Sequence, residues 1–184
     1  LGTDAAGYRR LVTHGRVWLL QLDGRTVGYS TAYPDPVLRA SELWARRQQV
    51  AWEGFDPEQI VDQPIAYLDQ LAVLPGSRPR FYGTALALRA MLDLLDDHRH
   101  VLTTVVRAPV ANHAALAFVE RLGGRPVGQL DEHYPEVGSI RSGLYHFDGR
   151  AARQAVARAA EDPSPATRRI LALCGLSSGG GPAA

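Results

Sequence analysis

The pattern of apolar and polar positions opens with two strand-like runs around a turn. Val17-Trp18-Leu19-Leu20-Gln21-Leu22 is apolar, Asp23-Gly24 follows, and residues 25–32 resume a strand-like run. An Asp-Gly pair between two such runs predicts a β-hairpin, because both residues accept positive φ. Residues 8–12 read as the end of a short helix before it. Pro34 and Pro36 end the second strand, since proline cannot donate to a ladder. Over residues 37–50 the spacing of Leu38, Leu43, Trp44 and Val50 predicts a helix. Residues 51–64, with Trp52, Phe55 and Asp56-Pro57, read as a loop or broken helix.

Residues 65–74 predict the next strand and residues 83–95 an apolar-faced helix. Asp93, Asp96 and Asp97 oppose the helix dipole at its C-terminal end, which predicts an early stop. A β-branched strand over 101–106 is followed by a helix over 112–122, closed by Gly123-Gly124. The last strands are expected over 126–130 and 139–147, joined by a loop containing His133-Tyr134-Pro135. Short helices follow over 151–160 and 166–173, interrupted by Pro163 and Pro165. The order is hairpin, helical insert, strand–loop–helix, strand–helix, strand pair. That is a mixed sheet with helices on its faces, of α/β or α+β class. The expected organisation is a main domain over 1–148, a helical extension over 149–176 and a flexible Gly/Ser-rich tail over 177–184.

Composition narrows this picture modestly. The chain has 184 residues, 46% hydrophobic and 21% charged, which fits one globular domain. A formal net charge of +1 argues against a nucleic-acid partner. Cys174 is the lone cysteine, so an intramolecular disulfide and a Cys-based zinc site are excluded; in an apolar helical run it reads as a buried small hydrophobe. No apolar run is long enough to span a bilayer and no charged-then-apolar leader opens the sequence, so the expectation is a cytoplasmic protein with no membrane partner. His98-Arg99-His100 at a helix end reads as capping rather than metal ligation, and no metal is expected.

The stretch 67–90 carries the chemistry. A strand ends at Pro75, a short basic loop with Arg78 and Arg80 follows, and a helix opens on small residues. Unpaired N–H groups and the dipole at a helix N-terminus suit a phosphate or pyrophosphate. Asp69 is a carboxylate in an otherwise apolar strand; it alternates with Tyr67 and Leu71, which puts the three on one face. Such a group can have a raised pKa and serve as a general base. The alternative is a polar position on a half-solvated strand, or a partner for a nearby arginine.

Two segments resemble the GNAT superfamily of acyl-CoA-dependent N-acyltransferases. One is Leu71-Ala72-Val73 with Pro75 and the turn into Gly83-Thr84-Ala85-Leu86; the other is Asn112-His113-Ala114-Ala115-Leu116-Ala117-Phe118-Val119-Glu120, similar to the family's Asn-x-x-Ala-x-x-Phe-Tyr-Glu helix. The resemblance covers residues 17–147 and implies a mostly antiparallel sheet with a splayed central strand. It implies acetyl-CoA as cosubstrate, with Leu71, Ala72 and Val73 offering backbone to its pantetheine arm. Arg78, Arg80, Phe81, Tyr82, Gly83, Thr84 and Ala85 would surround its phosphates. The family's loop is Gln/Arg-x-x-Gly-x-Gly/Ala. Arg80-Phe81-Tyr82-Gly83-Thr84-Ala85 fits it outright, but counting from Pro75 favours Arg78-Pro79-Arg80-Phe81-Tyr82-Gly83, with Phe81 at the first glycine position. Asn112 resembles a residue that contacts the cofactor arm, and simple N-capping accounts for it equally well.

The family often takes its general acid from the Tyr of Phe-Tyr-Glu, which is Val119 here. Tyr134 resembles a Tyr-Pro element of some N-terminal-amine acetyltransferases and is the acid candidate, or else a wall of the acceptor site. Trp44, Trp52 and Phe55 would cover the acceptor groove or form a secondary core. The resemblance thus implies an N-acetyltransferase moving acetyl from acetyl-CoA to a small-molecule or peptide amine by direct attack. Phe81 and Val119 favour an alternative, a non-catalytic acyl-CoA-binding or ligand-binding module. A weaker third possibility is a domain acting on a carrier-bound thioester. The helices after Phe147 would cover a sheet edge or form a homodimer contact.

Overall fold

A computed structural model describes residues 5–75, 79–136, 138–161 and 163–176, except the side chains of Pro79 and Arg80. The expected tail over 177–184 lies outside the described residues. The strands are β1 (Arg16–Leu22), β2 (Arg25–Tyr33), β3 (Ala51–Trp52), β4 (Ile65–Val73), β5 (His100–Ala108), β6 (Arg125–Tyr134) and β7 (Gly138–Asp148). The helices are α1 (Ala5–His14), α2 (Asp35–Arg39), α3 (Glu42–Ala45), α4 (Pro79–Asp97), α5 (His113–Arg121), α6 (Gly149–Glu161) and α7 (Pro165–Leu173). Seven strands form a sheet in the order β1, β2, β4, β5, β7, β6, β3. Among the described residues, only β4 and β5 pair in parallel; the other pairs are antiparallel. This is the mixed, mostly antiparallel architecture expected.

The hairpin forms where the Asp-Gly pair lies. Asp23 has φ 51° and Gly24 has φ 76°, the left-handed pair that a tight two-residue turn needs. Asn112 caps α5 by accepting from the Ala115 N–H at 3.1 Å, and Gly123 with φ 82° ends that helix.

Several elements depart from the sequence expectation. The insert over 37–50 is not one helix. Ser41 breaks it by capping α3, its Oγ accepting from the Trp44 N–H at 3.3 Å, and a 3₁₀ turn (Arg46–Gln49) follows. Residues 51–64 include β3, which pairs with β6, and a second 3₁₀ turn (Pro57–Ile60) capped by Asp56. Helix α4 begins at Pro79 and runs on to Asp97 despite its acidic end. Each carboxylate there has found a partner outside the local backbone: Asp93 takes the Trp18 Nε1–H at 2.8 Å, Asp96 pairs with Arg153 at 3.1 Å, and Asp97 pairs with Arg16. Those contacts offset the unfavourable dipole. Strand β6 extends to Tyr134, so His133 and Tyr134 belong to a strand rather than a loop.

The sheet carries a core on each face. The larger contains Leu68, Met91, Leu94, Val101, Phe147, Leu171 and Cys174, joining β4, β5 and β7 to α4 and α7. Helices α6 and α7 therefore pack on β7 and α4. The smaller contains Ile65, Tyr67, Leu102 and Leu144 beneath Leu38 and Ile60, with Trp44, Trp52 and Phe55 packed against it. Asp35 locks the insert to β4: it accepts the Ile65 N–H at 2.9 Å and holds Arg39, which donates to the Gln63 carbonyl at 3.0 Å. Among the described residues, no helix is long and apolar enough to cross a membrane.

Candidate active site

Strand β4 changes character at Asp69. Its parallel pairing with β5 runs from Ile65↔His100 to Leu68↔Thr103 and stops there. Beyond that point β5 remains paired with β7, while β4 stays with β2. The two strands separate into a V whose vertex is closed by Thr103, its hydroxyl donating to the Leu68 carbonyl at 2.8 Å. The far half of β4 thus offers backbone groups on one free edge.

At the same point β4 is bulged. Gln70 faces Thr31 and Leu68 faces Ala32, so Asp69 is an extra residue with no register partner on β2. A bulge resets the alternation of side chains. Tyr67, Asp69 and Gln70 all line one cavity, whereas Leu71 and Val73 turn to the opposite face against α4. The expectation that Leu71 shares a face with Tyr67 and Asp69 is therefore corrected: strict alternation fails across the extra residue. A Cβ on Gly83 would meet Val73 Cγ2 at 3.7 Å and Leu71 Cδ2 at 3.9 Å, so the start of α4 runs close along the free half of β4.

The cavity, of about 330 Å³, lies between the insert and the sheet. Asp69 and Tyr134, the two catalytic candidates, both line it, although they come from different strands. Asp69 Oδ2 accepts from the Thr31 hydroxyl at 3.3 Å and from Gln70 Nε2 at 3.2 Å. Among the described residues, Oδ1 takes no hydrogen bond. Burial pushes the Asp69 carboxyl above its ordinary value, and the Thr31 and Gln70 hydrogen bonds offset this only in part. Gln70 is itself held: its Oε1 accepts from Tyr8 of α1 at 2.8 Å and from Tyr29 at 3.3 Å.

Tyr134 donates to Glu132 Oε1 at 2.9 Å, and the same carboxylate oxygen pairs with Arg46 of the insert. Burial and that hydrogen bond both raise the phenol's pKa, so Tyr134 is protonated at neutral pH. Tyr67 shares a 2.7 Å hydrogen bond with Thr104 on the separated part of β5. Neither Glu132 nor Arg46 was an expected site residue. Glu132 and Tyr134 lie two apart on β6 and so share a face, a pattern readable only once the strand extends that far. Arg46 carries no such signal.

The other expected positions fall as follows. Arg78 and the side chain of Arg80 lie outside the described residues. Phe81 sits in the first turn of α4 with the Arg169 guanidinium 5.5 Å from its ring centroid. Tyr82 and Thr84 are half-buried near the start of α4. Ala85 is buried in the larger core, and its carbonyl accepts the Cys174 thiol at 3.3 Å. Leu71 and Ala72 are exposed and Val73 is half-buried. Val119 is 2% exposed and packs in the larger core, away from the cavity. Trp44 and Trp52 line the cavity, while Phe55 stacks on His146 at 4.8 Å. His98 does cap α4, its Nδ1 bonding the Leu94 carbonyl at 2.8 Å. His100 instead meets His146 across the sheet at 2.9 Å, beside β4 rather than at a helix end.

A central strand that separates from its neighbour in a mostly antiparallel sheet is the arrangement that the GNAT resemblance implied. Residues 4–124 match the acetyltransferase (GNAT) family, and the chain belongs to that family. Solved structures with the same fold include NAA60 of Arabidopsis thaliana in complex with a bisubstrate analogue, at 19% identity and TM-score 0.55, covering 80% of this chain and 84% of that one. A ribosomal-protein-alanine N-acetyltransferase from Brucella melitensis is similar at 14% identity and TM-score 0.52, covering 78% and 74% respectively. A GNAT acetyltransferase from Elizabethkingia anophelis with acetyl-CoA bound is similar at 10% identity and TM-score 0.51, covering 79% and 83%. No curated protein matches the chain.

Proposed function

We propose that the protein transfers an acetyl group from acetyl-CoA to a primary amine by direct attack. The observation that carries this is the coincidence, at one point of β4, of the end of pairing with β5, the bulge and the cavity-facing Asp69. The free edge of residues 69–73 suits an extended thioester arm as an added strand. That two solved relatives of this fold hold acetyl-CoA or a bisubstrate analogue is consistent with it.

In this reading the free backbone N–H groups beside Asp69 polarise the thioester carbonyl. Asp69 takes the proton that the attacking amine loses as the C–N bond forms. Its raised pKa suits that role, since a carboxyl nearer neutrality is the better base. As the C–S bond breaks, Tyr134 supplies the proton to the departing thiolate. Holding amine and thioester side by side in the cavity removes much of the entropic cost.

Isothermal calorimetry with acetyl-CoA, followed by thiol release with an amine panel, tests the reading. Binding with amine-dependent thiol release is the expected result; no binding at high micromolar ligand overturns it. A second reading, a ligand-binding module without catalysis, is favoured by Val119, whose apolar side chain is committed to the core where the family often carries a tyrosine. Acetyl-CoA binding without thiol release for any amine would select it.

A further inference from the structure

We infer that the acceptor is a monoamine whose amino group is borne on an apolar body with no second charge. This rests on the acetyltransferase reading and concerns what fills the same cavity.

The charges on the cavity wall are almost all committed. Glu132 holds Arg46 and takes the Tyr134 hydroxyl at 2.9 Å. Arg47 donates to the Trp44 carbonyl at 3.1 Å, reaches Glu58 at 3.5 Å and lies 4.8 Å from the Trp44 ring centroid; its Nε is enclosed by protein and has no hydrogen-bond partner among the described residues. Among the described residues, the partners of Asp69 are the neutral Thr31 and Gln70. One uncompensated carboxylate provides for one ammonium group. Leu38, Leu43, Trp44, Val50, Trp52 and Leu144 supply the apolar part of the same wall. A second ammonium on the acceptor would be desolvated against that wall without a counter-charge, and a carboxylate would have to displace an arginine already engaged. The volume of about 330 Å³ is at the small end for ligand sites and matches a compact apolar group. A free arylalkylamine and the amino terminus of a peptide with a large apolar first residue present the same chemistry.

The test compares kcat/KM by thiol release for 2-phenylethylamine, a tetrapeptide with amino-terminal leucine, 1,4-diaminobutane and phenylalanine. Calorimetric binding of the same compounds in the presence of CoA runs in parallel. One of the first two is expected to exceed both others by about 100-fold, the scale on which an apolar pocket rejects an added polar group. The faster of the two names the source. A diamine or an amino acid performing as well as the best apolar amine, in turnover or in binding, overturns the inference. Leu43→Glu, scored against unchanged acetyl-CoA binding as a control for folding, should narrow the preference for 2-phenylethylamine over the diamine by at least about tenfold; an unchanged ratio also overturns the inference. Failure of the wild type to bind acetyl-CoA is a different result, which removes the acetyltransferase reading and this inference with it.

Discussion

The two halves of β4 share one strand and have opposite surroundings. Residues 65–68 are buried, paired with β2 or locked by Asp35 on one edge and paired with β5 on the other. Residues 69–73 keep β2 but lose β5, and their side chains are half-buried or exposed. The change takes one residue. Asp69 is the inserted position of the bulge, and a carboxylate there tolerates partial burial because Thr31 and Gln70 donate to it. The closed half supplies rigidity; the half that opens supplies unpaired backbone and a titratable group. A site built on a strand is held more precisely than one on a loop, and here it begins where pairing with β5 ends.

If the halves divide labour in this way, substitutions should separate activity from stability. The largest effect is expected at the boundary. Asp69→Asn should lower kcat/KM by about a thousandfold, within the range for loss of a general base. The melting temperature should not fall, because a carboxyl whose pKa is raised by burial costs stability at neutral pH. In the wild type, activity should rise with pH through an acid limb lying above the ordinary carboxylate range, and Asp69→Asn should abolish that limb. An unchanged limb would remove Asp69 from the mechanism.

One residue earlier the balance should invert. Leu68 is buried in the larger core, and Leu68→Ala should cost about 2–5 kcal/mol in urea denaturation. On the proposed function, the protein that remains folded should keep its kcat/KM within a few-fold. Next in size, Tyr134→Phe should lower kcat about 10- to 100-fold with little change in acetyl-CoA affinity. Equal loss of both would reassign Tyr134 to the cavity wall.

Much of this frame was legible from the chain. The Asp23-Gly24 turn, the Asn112 cap and the strand over 65–74 each depend on residues a few positions apart, and local chemistry settles them. The insert misled because Leu38, Leu43 and Trp44 have helical spacing, yet Ser41 competes for the backbone and breaks the helix. The bulge at Asp69 was not legible, since it exists only in the register between β2 and β4. The contact of Arg46 with Glu132 and that of His100 with His146 link residues 86 and 46 apart, and no local pattern reports them.

The histidine pair gives the closed half its own pH response. His100 is the register partner of Ile65, and His146 lies beyond it under Phe55. Burial and the neighbouring His100 lower His146 to about 4. Unfolded, it would titrate near 6.5, so the unfolded chain binds more protons between pH 6.5 and 4. The contribution is complete above that window and is lost as pH falls through it, by about 2 kcal/mol after allowance for partial solvation. Urea denaturation across this range should show the loss, and His146→Asn should reduce it. The closed half would then titrate as stability and the other half as activity.

The smallest effect tests how far the boundary is supported from outside β4. Tyr8 of α1 donates to Gln70 Oε1 at 2.8 Å, and Gln70 donates to Asp69 Oδ2 at 3.2 Å. Tyr29 also reaches Gln70, at 3.3 Å, so removing the Tyr8 hydroxyl leaves one weaker donor in place. Tyr8→Phe should therefore cost only about two- to fivefold in kcat/KM, in keeping with loss of one of two hydrogen bonds. Gln70→Leu should cost more, because it removes a donor to the carboxylate itself. Its direction on pH is fixed by sign: the Gln70 hydrogen bond lowers the Asp69 pKa, so losing it raises that pKa and moves the acid limb to higher pH. A loss of activity in Gln70→Leu with the limb unmoved would mean that Gln70 shapes the cavity without tuning Asp69, and the support reaching from α1 would be mechanical alone.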